Sequence, residues 1–355
     1  MSKIKLAVVF GGISTEHEVS IVSGTSVIEN LDKNKYEIYP IYIAKDGSWN
    51  KYTKEVHTIR TLEINEKLEE VEKIDNVIRT LKQMDVIMPV LHGIGGEDGT
   101  IQGLFEMIKV PYVGCGVLAS SVGMDKVYTK IIFDRANINQ TKYEYIKKEK
   151  EDYIYIDKQF NENKCSLEEL CKIIQKNLKY PMFVKPSNSG SSVGINKAKT
   201  IEELKQAIEY AAKFDTKILV EEGINGKEVE CAVLGNEEVI VSCVGEIKPA
   251  EEFYSFDAKY TNKESETEIP AKIEDEISEE IRKLAIKAFK AIDGKGLSRV
   301  DFFVENGTNK IYINEINTLP GFTKISMYPK LFEQAGIEYK TLLDKLIQLA
   351  QEKNK

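Results

Sequence analysis

Near the C-terminal end of the chain, an arginine, two carboxylates and an amide recur at alternate positions: Arg299-Val-Asp301 and Glu315-Ile-Asn317. The runs Leu297–Val304 and Lys310–Asn317 are rich in apolar residues and flank an Asn306-Gly307 turn, so they predict a β-hairpin. Antiparallel pairing about that turn sets Asp301 opposite Glu315 and Arg299 opposite Asn317. Residues two apart on a strand share a face, so these side chains form one polar patch. Two carboxylates and an amide oxygen, without cysteine or histidine, make a hard-oxygen donor set suited to Mg²⁺ beside substrate phosphates. The competing reading is a solvated face of ion pairs.

A second candidate lies after the apolar run Tyr180–Lys185. The loop Lys185-Pro-Ser-Asn-Ser-Gly-Ser-Ser-Val-Gly194 offers backbone N–H groups and hydroxyls to phosphate oxygens, with Lys185 as a point charge. Its lysine precedes the glycines, so it is not a P-loop. A third is Gly11-Gly12-Ile-Ser-Thr-Glu16-His-Glu18, where Glu16 at the mouth of a parallel sheet could hold a substrate ammonium or serve as an ordinary helix cap. A fourth is His92-Gly-Ile-Gly-Gly-Glu97-Asp98-Gly99, which places glycine backbone where open sheets bind ligands. A lone histidine there can equally be structural.

The elements that must position these groups alternate between strand and helix. Lys3–Phe10, Tyr36–Ala44, Trp49–Tyr52 and Met84–His92 predict strands. Thr15–Leu31, Leu62–Leu81 and Ile101–Lys109 predict helices, giving a doubly wound parallel sheet over residues 1 to about 120. A second unit is expected to open with one helix from Ser120 to Asn137, with helix Ser166–Asn177, strand Tyr180–Lys185 and helix Ile201–Phe214 after it. A third unit is expected to start with strand Lys217–Glu222 and to continue through Glu228–Leu234, Val239–Ile247 and helix Ile277–Ile292. Pro249–Pro270 lacks periodicity, and so long an unpatterned stretch is usually functional.

The chain has 355 residues, 42% of them hydrophobic, with 49 Lys+Arg against 57 Asp+Glu for a net charge of −8. No global basic field recruits nucleic acid, and no apolar run is long enough to span a bilayer. The N-terminus lacks a secretory pattern, and the five cysteines are odd in number with no Cys-x-x-Cys pair. Reduced thiols in a cytoplasmic protein are expected.

Taken together the motifs resemble the D-alanine–D-alanine ligases of the ATP-grasp superfamily. The resemblance rests on Phe10–Ser20, Leu91–Thr100, Gly123-Met-Asp-Lys126, Val184–Gly194, Phe253–Tyr260 and Asn314–Thr323, in that order, and covers nearly the whole chain. It implies three α/β units, an N-terminal parallel-sheet domain followed by an ATP-grasp fold. The units are expected at 1–122, 123–215 and 216–355, with a mobile loop at 249–270 and ATP between the last two. It implies that Lys126 and Lys185 contact phosphates, that Lys259 also reaches the nucleotide, that Glu221 and Glu222 lie at the adenine edge, and that Glu228 holds the ribose.

Asp301, Glu315 and Asn317 match the Mg²⁺ ligands, two ions being expected, with Mn²⁺ as a substitute. Glu16 matches the holder of the first D-alanine's ammonium, supported by Ser191 and Tyr260, with His92 lining that pocket. Arg299 and the N–H of Gly321 resemble an oxyanion site. Ser326 with the backbone of Met327 resembles a clamp on the second substrate's carboxylate.

The implied reaction joins two D-alanines through an acyl phosphate, for peptidoglycan precursor synthesis, with D-serine or D-lactate as the alternative acceptor. Lys324 departs from the small neutral residue expected near that clamp. Small molecules are the expected partners, not nucleic acid or membrane, with a homodimer left open.

Overall fold

The computed structural model describes residues 2–248 and 266–352. Three sheets organise it. The first has strand order β4-β3-β2-β1-β5, from β1 (Ile4–Gly11), β2 (Tyr36–Ile43), β3 (Trp49–Tyr52), β4 (Val71–Lys73) and β5 (Val86–Leu91). β1 runs parallel to β2 and β5, whereas β3 and β4 add an antiparallel edge. β1 lies between β2 and β5 and is covered on both faces, which is why it reads as an apolar run from Leu6 to Phe10. Leu6, Val8 and Phe10 pack on one side, Ala7 and Val9 on the other.

The second sheet is antiparallel, in order β10-β9-β11-β6-β7-β8. It comprises β6 (Tyr143–Glu149), β7 (Asp152–Ile156), β8 (Glu162–Cys165), β9 (Met182–Pro186), β10 (Asn196–Ala198) and β11 (Lys217–Glu222). Helices at Leu167–Asn177 and Ile201–Ala211 bury Leu170, Cys171, Ile174, Leu204, Ala207 and Ile208 against it. The strand Lys217–Glu222 therefore closes the second unit instead of starting the third, since it lies between β6 and β9.

The third sheet, order β14-β13-β12-β15-β16, is also antiparallel. Its strands are β12 (Gly226–Gly235), β13 (Val239–Lys248), β14 (Glu266–Glu268), β15 (Gly296–Glu305) and β16 (Ile311–Asn317). β14 corrects the unpatterned reading at the end of 249–270. Residues 249–265 lie outside the described residues.

Two further expectations are corrected. The stretch Leu62–Leu81 is not one helix. It holds β4 and a short helix at Val77–Leu81, with Leu62 and Leu68 packed on one side of the first sheet and Ile74 and Leu81 on the other. The helix expected over 120–137 is two, α4 (Val117–Met124) and α5 (Lys126–Arg135) in our numbering, which counts α1 (His17–Asn30), α2 (Val77–Leu81) and α3 (Thr100–Ile108) before them. Asp125 ends α4 with extended backbone and caps α5, accepting from the N–H groups of Val127 and Tyr128.

The C-terminal helices were not anticipated. With α6 at Leu167–Asn177, α7 at Ile201–Ala211 and α8 at Asp275–Ala291, they are α9 (Met327–Gln334) and α10 (Tyr339–Glu352). Leu342, Leu343, Leu346 and Ile347 form an amphipathic stripe that shares one core with Leu6, Val8 and Phe10. Burying each such side chain contributes about 1.5–3 kcal/mol, so the end of the chain fastens the third unit to the first. All five cysteines are free, and Cys115, Cys171 and Cys231 are buried.

Candidate active site

The three sheets enclose a cavity of about 940 Å³. Of the sequence-predicted site residues, all line it except Lys259 and Tyr260, which lie outside the described residues. Lys324 is exposed and is not among the lining residues.

The hairpin forms as its turn and period-two pattern dictate: Arg299 pairs with Asn317 and Asp301 with Glu315. One strand further in, Glu230 pairs with Asp301, so three carboxylates stand in a row across β12, β15 and β16. The register then slips by one residue, leaving Asn314 as a bulge. A bulge turns consecutive side chains to one side, and Asn314 and Glu315 both line the cavity. The face of β12 is divided along its length: Glu228 and Glu230 meet the cavity, while Ala232 and Leu234 enter the core under α9.

Arg299 donates to both oxygens of Asp301, at 2.7 and 2.6 Å, and lies 3.1 Å from Glu230. Burial acts to lower its pKa, but Asp301 and Glu230 outweigh it and hold the guanidinium charged. Asn317 donates to Asp301 at 3.0 Å. Asp301, Glu315 and Asn317 offer oxygen only, which fits Mg²⁺ and disfavours soft metals. Among the described residues no group of three His, Cys, Asp or Glu forms a ready-made cage.

Facing this row are the lysines. Lys126, at the start of α5, donates to the carbonyl of Ser189 at 2.8 Å and lies 3.6 Å from Glu315. Its helix is anchored from below: buried Asp125 accepts from Ser187 Oγ at 2.5 Å and pairs with Lys217. Lys185 pairs with Glu221 Oε1 and donates to Asn314 at 3.5 Å. The other oxygen, Glu221 Oε2, lies 3.0 Å from Lys130 and accepts from Thr141 at 2.9 Å. Burial works to raise the Glu221 carboxyl, yet Lys130 and Lys185 together hold it well below the carboxylate range. Burial works to lower both lysines. Glu221, Glu315 and Glu228 reverse this at Lys185, whereas burial prevails at Lys130, which also feels the charge of Lys185. The Glu221 side chain is thus held by the two lysines at the cavity wall. Glu222 accepts from the N–H of Lys179 at 2.9 Å.

The opposite wall is held differently. Glu16 precedes α1 but makes no side-chain cap bond; its carboxylate instead accepts from Ser191 across the domains. Gly93 and Gly190 press on it from two loops: a Cβ at either would meet Glu16 Oε2 at 2.6 and 2.7 Å. Any larger residue at those positions would displace the carboxylate. Ser191 itself has φ +48°, left-handed backbone that costs a serine about 1–2 kcal/mol.

His92 is buried, with Nε2 at 3.0 Å from Ser23 Oγ and Nδ1 at 3.7 Å from Glu97. The same serine accepts from the N–H of Phe322 at 3.4 Å, tying α1 to the loop that carries Gly321. Ser326 accepts from Thr323 N–H at 3.0 Å and lies 2.7 Å from its hydroxyl, just before α9.

Sequence reasoning missed Lys130, Glu230, Asp125, Ser187, Lys217 and Ser23. Two had a signal. Lys130 lies four residues after Lys126, on the same helix face, and Glu230 lies two after Glu228 on the same strand face.

A family model described as "D-ala D-ala ligase N-terminus" matches residues 5–115, and "D-ala D-ala ligase C-terminus" matches 132–348. The chain is 49% identical to the D-alanine–D-alanine ligase of Acetivibrio thermocellus, over 98% of this chain and 96% of that one. It is 49% identical to that of Clostridium acetobutylicum, over 99% of each. Among solved structures, the VanG D-Ala:D-Ser ligase from Enterococcus faecalis superposes with a TM-score of 0.84 at 40% identity, covering 98% of this chain and all of that one. The D-alanine-D-alanine ligase from Coxiella burnetii superposes with a TM-score of 0.82 at 31% identity, covering 100% of this chain and 95% of that one.

Proposed function

We propose that this chain, which belongs to the D-alanine–D-alanine ligase family, divides its reaction between the two walls of the cavity. The enzyme joins two D-alanines in an ATP-dependent ligation that forms a carbon–nitrogen bond. ATP lies between the second and third units, residues 123–222 and 226–355, the strand Lys217–Glu222 closing the second. Lys126 and Lys185, with Lys259, hold its phosphates, the strand end at Glu221–Glu222 borders the adenine, and Glu228 holds the ribose. Phe183, Ile247 and Phe303 give the base apolar surface.

Asp301, Glu315 and Asn317 would hold two Mg²⁺ ions, or Mn²⁺ in their place. The cation, when bound, neutralises phosphate charge. Glu16 binds the ammonium of the first D-alanine, oriented by Ser191 and Tyr260 with His92 behind it. The carboxylate of that D-alanine takes the γ-phosphoryl group of ATP to give an acyl phosphate and ADP. The amine of the second D-alanine attacks the acyl carbon. Arg299 and the Gly321 N–H stabilise the oxyanion of the tetrahedral intermediate until phosphate leaves. Ser326 and the backbone of Met327, at the N-terminus of α9, hold the second carboxylate.

The observation that carries this reading is one cavity joining the Arg299/Asp301/Glu315/Asn317 row, the paired lysines and Glu16. The product serves peptidoglycan precursor synthesis, in the cytoplasm. No helix among the described residues is long and apolar enough to cross a membrane. Exposed Met107, Val117 and Leu118 on α3 and α4 support a homodimer.

The test is mass analysis of products from Mg·ATP with D-alanine, D-serine and D-lactate in equal amounts. D-alanyl-D-alanine should predominate, and phosphate release should require D-alanine and ignore L-alanine. A mixed D-serine dipeptide or an ester as the main product would replace the acceptor. Amino-acid-independent phosphate release would remove the ligase reading.

A further inference from the structure

Lys130 takes no part in the reaction as derived, yet it is buried at the edge of the nucleotide site. Its side chain is 3% exposed, a rare situation for lysine. Its ammonium donates to Thr141 Oγ1 at 3.2 Å and lies 3.0 Å from Glu221 Oε2, and Thr141 donates to that same oxygen at 2.9 Å. The other Glu221 oxygen holds Lys185. One buried carboxylate thus bridges two ammonium groups. Lys185 also faces Asn314 and the charges of Glu315 and Glu228.

When Lys185 turns to an incoming phosphate, Lys130 and Thr141 leave Glu221 with a cation and a hydroxyl. Without Lys130, the same movement would strand a buried carboxylate, an arrangement strongly disfavoured in a protein interior. We propose that Lys130 is a positioning residue for nucleotide binding: it retains Glu221, so that Lys185 can exchange that carboxylate for a phosphate of ATP. This rests on the assignment of Lys185 to the ATP phosphates.

The test is a double-mutant cycle of wild type, Lys130→Met, Glu221→Gln and the pair. The ATP dissociation constant is measured by calorimetry without D-alanine, and the KM for D-alanine is measured at saturating ATP. Lys130→Met should weaken ATP binding about tenfold or more, with the D-alanine KM within about twofold. In the Glu221→Gln background the same substitution should change ATP binding by less than about threefold, because the neutral amide no longer detains Lys185. Lys130→Arg keeps the cation beside Glu221 and should bind ATP more tightly than Lys130→Met.

An equal loss in both backgrounds, a Lys130→Met protein that binds ATP like wild type, or a D-alanine KM that rises in parallel would overturn the proposal. Should Lys130→Met not fold, Thr141→Val weakens the same support. It should reduce ATP affinity about threefold in wild type and not in Glu221→Gln, and equal effects would overturn the proposal. A wild-type protein that does not bind ATP would instead remove the underlying site assignment.

Discussion

The two walls of the cavity hold their charged groups in opposite ways. On the nucleotide side ions face ions, most of them contributed by different strands and helices: Lys185 and Lys130 on Glu221, Lys126 near Glu315, Arg299 on its own-strand neighbour Asp301 and on Glu230, Lys217 on Asp125. On the amino-acid side hydroxyls make the close contacts: Ser191 on Glu16, Ser23 on His92, Thr323 on Ser326, with Glu97 at the longer distance of 3.7 Å from His92. Removing one member of a buried pair leaves a stranded charge at a cost of about 3–5 kcal/mol. Removing a neutral hydrogen bond costs about 1 kcal/mol. The nucleotide wall should therefore be the brittle one, and the amino-acid wall the tunable one.

Asp301→Asn should show the largest effect, because one side chain serves both the cation set and the Arg299 fork. Turnover should fall about a thousandfold at saturating Mg²⁺, with Glu315→Gln somewhat milder because Glu315 lacks the fork. Phosphate release near the wild-type rate in either variant would refute the ligand assignment. Arg299→Lys should come next, with about a hundredfold loss in kcat and an unchanged melting curve, since a point charge replaces a planar fork. Activity within about threefold of wild type would count against its oxyanion role.

Glu16→Gln probes the other wall. It should raise the D-alanine KM about tenfold to a hundredfold, the worth of a charge-assisted hydrogen bond, and leave the ATP dissociation constant within about twofold. Equal damage to both would erase the division between the walls. Ser326→Ala should be gentler, about fivefold in the KM for the second D-alanine, read from the dependence of initial rate on D-alanine concentration.

The smallest effect is on stability. Burial acts to lower the pKa of His92, but its contact with Glu97 and the charge of Glu16 prevail and raise it above 6.5. A raised folded-state pKa adds stability that is full below about pH 6.5 and fades as pH rises through the folded value. The melting temperature of wild type over His92→Gln should therefore narrow by about 2 °C or less between pH 6 and 9. A gap that widens with pH would reverse the sign.

Much of the site was legible in the chain because it depends on short-range geometry. The Asn306-Gly307 turn and the alternation on either side determine which residues of β15 and β16 face each other, without reference to the rest of the molecule. The phosphate loop after β9 and the glycines around Glu16 are also local, since each is a backbone shape that only certain residue types adopt. The stretch Leu62–Leu81 shows where such reasoning ends. Its apolar residues have helical spacing, but the chain instead pairs Val71 with Tyr52 and sends Leu68 and Ile74 to opposite faces of the first sheet. Burial against a distant surface outweighed a weak helical preference.

The amino-acid sequence by itself determined the hairpin row of Arg299, Asp301, Glu315 and Asn317 and, through the order of its motifs, the resemblance that carries the reaction class. Periodicity and turn chemistry act over a few residues. The tertiary structure alone decided that Lys217–Glu222 completes the second sheet, that α10 fastens the third unit to the first, and that Glu221 faces two lysines. Those outcomes depend on which strand lies beside which, and on charges brought together from positions such as 130, 185 and 221. A buried ion's partner is chosen by the folded neighbourhood, and no local pattern in the chain encodes it.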